Sequence, residues 1–109
     1  MIITTTDSIP GKRITRTFGL VRGNTIRARH VGRDIMAGLK NLVGGEIYEY
    51  TKLMAESREQ SLDRMGKEAQ RVGANAIVGL RFTTSVIMGG AAELLAYGTA
   101  VTIEDQKDS

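Results

Sequence analysis

The sequence predicts an α+β fold, an antiparallel β-sheet with one long and one short helix packed on it. Three observations predict it. Between Gly44 and Gly73 the apolar residues Ile47, Tyr50, Met54, Leu62, Met65, Ala69 and Val72 recur mostly at steps of three and four, which return to one face of an α-helix. The runs Thr17–Arg29, Ala76–Met88 and Ala91–Ile103 alternate as strands do. Glycine pairs at Gly44-Gly45 and Gly89-Gly90 supply the sharp turns between elements.

Composition narrows the function classes. With 109 residues, 41% of them hydrophobic, the chain is one small domain with an aliphatic, glycine-rich core and no Trp. No cysteine is present, which excludes disulfides, Cys-ligated zinc, iron–sulfur clusters and thiol catalysis. Met1–Asp7 lacks a basic segment followed by an apolar run, so no signal peptide is expected. No apolar run approaches the roughly 20 residues of a membrane helix. A cytoplasmic location is therefore expected.

The net charge of +3 is unevenly placed. Residues 1–43 hold eight basic and two acidic side chains, residues 44–73 five and six, and residues 74–109 two and four. A basic N-terminal part suits an anion, a nucleic acid or the acidic part of a neighbouring copy. The neighbouring copy is the favoured reading.

Along the chain, Ile2–Thr6 reads as an edge strand. Asp7 to Gly11 is a turn, with Pro10 fixing φ and Gly11 accepting the positive φ of a type II turn. Lys12, Arg13 and Arg16 follow. In Thr17–Arg29, Phe18, Leu20 and Ile26 share one face with Arg22 and Asn24, while Val21, Gly23, Thr25, Arg27 and Arg29 share the other. Gly19 and Gly23 mark expected bends or bulges. Val31–Leu42 is the short helix, with His30 at its start.

The long helix runs from Gly45 to Gly73, about 40 Å at the usual rise per residue. Its wet face is laced with charges, among them the i,i+4 pair Asp63–Lys67. Ser57 and Ser61 interrupt the dry stripe and suit the close approach of another backbone. Gly73 stands where a left-handed residue usually ends a helix. In the last strand Leu95, Tyr97, Thr99, Val101 and Ile103 share one face. Leu94, Ala96, Gly98 and Ala100 share the other, so both are apolar. One helix layer covers one face; a second subunit would cover the other. Glu104–Ser109 reads as a polar tail, which sets the domain at 1–104 and leaves 105–109 outside it.

The chemistry-bearing candidates are few. Glu93 interrupts an apolar run and Arg81 lies mid-strand; both are candidates for an intersubunit pair or a ligand contact. His30 and Glu93 are weak metal candidates. Arg13, Arg16, Arg22 and Arg27, with Lys12 and Arg29, are the anion or nucleic-acid candidates. One histidine and no nucleophile–base pair leave no catalytic constellation, so no enzyme is expected.

Several motifs together carry a family resemblance over residues 1–104. They are Ile9-Pro10-Gly11, Gly19-Leu20-Val21-Arg22-Gly23, Gly44-Gly45-Glu46, the run from Gly73 to Phe82, and Tyr97-Gly98-Thr99-Ala100-Val101. In these the chain resembles the YbjQ-like proteins of bacteria, a largely uncharacterised family that sometimes carries a heavy-metal-binding label. The resemblance implies a dodecin-like α+β subunit and a ring-shaped homopentamer. Soft metals prefer thiolate and imidazole ligands, which this chain barely offers. The dodecin-like shape does not import flavin binding, since fold does not carry function. No cofactor is expected. The reading is a non-enzymatic, self-assembling ring or ligand-binding scaffold. Metal binding is the alternative, and anion or nucleic-acid binding the less favoured one.

Overall fold

The computed structural model describes residues 1–27, 47–87 and 91–107. Its elements are β1 (Ile2–Ile3), β2 (Lys12–Arg27), α1 (Ile47–Arg71), β3 (Ala76–Ile87) and β4 (Ala91–Asp105). The strands form one sheet in the order β1-β3-β4-β2. β4 pairs antiparallel with both β3 and β2, whereas β1 pairs parallel with β3. The sheet is therefore mixed rather than antiparallel throughout. The parallel pair arises because the chain leaves β1, builds β2 on the far edge and crosses through α1 before returning as β3. The expected short helix, Val31–Leu42, and the Gly44-Gly45 and Gly89-Gly90 turns lie outside the described residues.

The helix packs on one face of the sheet, mainly over β2 and next over β4. Its stripe is as the periodicity predicts: Met65 and Ala69 are fully buried, and Leu62 and Val72 pack beside them. From the sheet, Val21, Ile77, Ala96 and Ala100 complete this core, with Phe18 and Leu80 at its margin. Ser57 and Ser61 are buried in the middle of the interface. The Thr25 hydroxyl meets the Ser61 hydroxyl at 2.8 Å and donates to the Ser57 carbonyl; Ser61 donates to the Leu94 carbonyl at 3.1 Å. These bonds satisfy polar groups that would otherwise be buried without partners.

Gly23 sits where helix and strand come closest. A Cβ on it would lie 2.3 Å from the Ser61 carbonyl oxygen and 2.4 Å from the Met65 nitrogen. The expected bend is therefore at Gly19 alone, which has φ +105° beside the β2 register shift; Gly23 stays in register as a contact point. Gly79, φ +66°, marks a further shift, in β3 between Val78 and Arg81. These irregularities reassign faces. Phe18 turns to the helix side, away from Leu20 and Ile26. Leu80 also packs on the helix side, while Val78 faces the other way.

On that other face a second small core joins Ala76, Val78, Val101 and Ile103 under Ile9. The N-terminal segment is held there by Thr4 and Thr6 bonding across to Ile77, Gly79 and Leu80, and by the Ile9–Lys12 turn, where Gly11 has φ +78°. Asn75 grips Ile103 with both ends of its amide, at 2.8 and 3.0 Å. The chain's own N-terminal segment thus covers the lower part of the doubly apolar strand. β4 also runs on through Asp105, and the Gln106 amide donates to the Gly11 carbonyl, so the polar tail begins later than the sequence suggests.

Gly23→Ala is expected to cost at least about 3 kcal/mol in urea unfolding, because the new methyl meets helix backbone that cannot move aside. Gly66→Ala, at a helical position with nothing within 4 Å of the new carbon, should instead stabilise by about 1 kcal/mol.

Candidate functional site

Among the described residues, no element covers one end of the sheet face away from α1. In the β2–β4 ladder Leu20 lies opposite Thr99, Arg22 opposite Tyr97, Asn24 opposite Leu95 and Ile26 opposite Glu93. Cross-strand partners share a face, so these eight side chains form one surface. Leu20 is 67% exposed and Ile26 56%, while Leu95 and Tyr97 between them are half-buried. Arg81, Thr83 and Ser85 of β3 extend the surface on the other side of β4. The sequence placed Leu20 and Ile26 on one face but gave no sign that this is the face α1 leaves bare.

The ladder separates Arg81 from Glu93. Arg81 stands opposite Tyr97 and donates to the Thr5 and Leu80 carbonyls at 2.9 and 2.7 Å. Glu93 stands opposite Ser85 and accepts from the Asn24 amide at 3.1 Å. Asn24 is the residue that sequence reasoning missed, because only the β2–β4 register reveals it. The buried-charge question at Glu93 is answered by a neutral donor on the neighbouring strand.

The basic candidates whose side chains are described do not converge. Arg13 reaches Glu104 at 3.5 Å, and Lys12 pairs with Asp105. Arg16 lies 4.6 Å from the centre of the Phe18 ring, a cation–π contact. Arg22 is exposed on the opposite face, nine residues along from Arg13. Arg27 is placed only by its backbone, opposite Ala92. Arg29 and His30 lie outside the described residues. Among the described residues no group of three His, Cys, Asp or Glu side chains could hold a metal ion. Nor does any described helix have the length and apolarity to cross a membrane.

The chain belongs to the YbjQ family: residues 1–104 match the family model described as "Putative heavy-metal-binding". Relatives named only as UPF0145 proteins include one from Methanosarcina acetivorans, 57% identical over 94% of this chain and 97% of its own length. Others come from Archaeoglobus fulgidus, 58% identical over 94% and 95%, and Vibrio parahaemolyticus, 55% over 94% and 98%. The family thus reaches beyond bacteria into archaea. A crystal structure of a protein with unknown function from Pediococcus pentosaceus shares the fold, with a TM-score of 0.61 at 18% identity over 95% and 98% of the two chains. None of these names gives an activity. The heavy-metal description finds no donor set in the described part of this chain.

Two surface carboxylates carry the visible acid sensitivity. The Arg71 guanidinium, bonded to Glu68 at 2.6 Å, holds that carboxyl below its ordinary 4.5; the Lys12 ammonium does the same for Asp105, ordinarily 3.8. A carboxylate lowered on folding stabilises above its unfolded pKa and loses that contribution as pH falls through the folded one. Thermal melts are therefore expected to fall below about pH 4.5. Glu68→Gln should flatten the decline slightly, and added salt should shrink the difference because both pairs are exposed.

Proposed function

We propose that the protein is the subunit of a non-enzymatic, self-assembling homo-oligomer, a ring or ligand-binding scaffold of the five copies that its family resemblance implies. The observation that carries this reading is the sheet face that α1 does not cover, with Leu20 and Ile26 exposed around Leu95 and Tyr97. Exposed aliphatic side chains of this size, set among Arg22, Asn24 and Glu93, favour an occupant. Covering an exposed aliphatic side chain fully is worth about 1.5–3 kcal/mol, so two of them, repeated at each contact, support association. The scattered arginines and ungrouped metal donors favour anion and metal readings less.

Native mass spectrometry and light scattering test this. The wild-type chain is expected as a discrete multimer at micromolar concentration. Leu20→Glu with Ile26→Glu should shift it to monomer while leaving the far-ultraviolet circular dichroism unchanged, since both side chains lie outside the two cores. A wild-type monomer at every concentration would overturn the proposal.

A further inference from the structure

We infer that the flank where α1 overhangs β2 is a phosphate site, which takes a phosphate monoester or free phosphate as the dianion between Arg22, Arg64 and Arg71. This site does not depend on self-association. Gly23 sets its geometry. The close approach there holds Arg64 directly over β2, its Cβ 2.9 Å from where a Gly23 Cβ would stand. Glu68 and Arg71 follow Arg64 at steps of four and three, so the three share one face of α1. Arg64 Nη1 donates to the Asn24 carbonyl at 2.5 Å, which places that face over the β2 edge. Arg22 rises from the other face of the sheet, yet it lines the same cavity as Glu68, one of about 480 Å³ walled also by Leu20, Val21 and Asn24. Arg64 and Arg71 are not among the basic residues that the sequence singles out, because only the packing of the helix reveals which strand they overhang.

Three guanidiniums here meet one carboxylate. Arg71 binds Glu68 through Nε at 3.1 Å and Nη2 at 2.6 Å. Arg22 adds to the pull that lowers the Glu68 carboxyl. Among the described residues no other acidic side chain lines the cavity. The flank therefore keeps a surplus of two positive charges, which a dianion cancels. A single charge is enough to protect a sheet edge from pairing, and three around one cavity exceed that need. Guanidiniums are also planar forks that grip oxyanions with paired hydrogen bonds.

The β2 backbone adds neutral donors. β4 is regular, since each register shift places its extra residue on β2 or β3. The Asn75 amide bonds the Val101 carbonyl from the β3 side. Along a strand a residue's N–H and C=O point the same way, and the direction alternates from residue to residue. Tyr97 and Leu95 thus also turn their backbone groups toward β3. Their partners Arg22 and Asn24 turn theirs outward, as the Arg64 bond to the Asn24 carbonyl independently requires. β2 is bonded to β4 alone, so the Arg22 and Asn24 amides stand free of any strand at the rim of the cavity. Leu20, 67% exposed, offers an apolar wall for the organic part of an ester.

Isothermal titration calorimetry with sodium phosphate and with phenyl phosphate tests the site, at about pH 8, where both probes are dianions. Both are expected to bind wild type at about 1 mM or tighter. Tighter binding of phenyl phosphate assigns the site to an organic monoester, and equal binding assigns it to free phosphate. Arg22→Gln, Arg64→Gln and Arg71→Gln should each weaken binding at least about tenfold, the contribution of a charged hydrogen bond. Glu68→Gln should tighten it, because the competing carboxylate is gone. Arg13→Gln removes the same charge about 25 Å away along β2 and should leave binding unchanged at about 0.1 M ionic strength. No heat with either probe at about 10 mM would overturn the inference. An Arg13→Gln loss as large as that of Arg22→Gln would overturn it in favour of diffuse attraction. Tighter binding of a single-stranded oligonucleotide, lost in the same three variants, would overturn it in favour of a nucleic-acid backbone. Self-assembly is read separately, from the native mass of the wild type.

Discussion

The backbone of α1 meets β2 at Gly23, closer than any side chain there would allow, and much else follows from that contact. Two polypeptide backbones at this distance need small residues around them. Ser57, Ser61 and Ala69 supply them from the helix, and Ala96 and Ala100 from β4. Close packing brings hydroxyls next to carbonyls, so Thr25, Ser57 and Ser61 can bond across the interface without water. The same geometry fixes which sheet face is dry. Once Val21, Gly23 and Thr25 lie under the helix, Leu20, Arg22, Asn24 and Ile26 must point the other way.

The two glycines with positive φ inside strands redistribute side chains that strict alternation would misplace. Gly19 lets Phe18 join the helix-side core although Leu20 leaves it. Gly79 lets Ile77 and Leu80, an odd and an even residue, face the same core. Each irregularity also falls where the strand is covered or charged, so the ladders beyond them are regular.

This explains what the sequence could reveal. The helix was legible because its period repeats over many turns and Gly73 ends it; the helix runs Ile47–Arg71. β2, β3 and β4 were legible from alternation and β-branched residues, and Ser57 and Ser61 announced a close approach. Faces were not legible across Gly19 and Gly79, since a one-residue shift inverts every later assignment. The parallel placement of β1 was hidden because it depends on pairing across most of the chain. So was the partner of Glu93 within the chain, Asn24, since Arg81 stands opposite Tyr97 and Glu93 opposite Ser85.

The charge asymmetry illustrates the same limit and also gives it a use. Read linearly, a basic first part and acidic later parts suggest attraction between copies. In the fold, some of that attraction is spent within the chain, where the β2–β4 ladder sets Lys12 against Asp105 and Arg13 against Glu104. These pairs lie at the bulged end of the sheet, where the edge is already protected. Arg16 stacks on its own Phe18. Arg22, opposite Tyr97, and Arg27, opposite Ala92, stand in the regular part of β2. The fold therefore turns part of a diffuse sequence bias into ion pairs within the chain, at one end of the β2–β4 ladder.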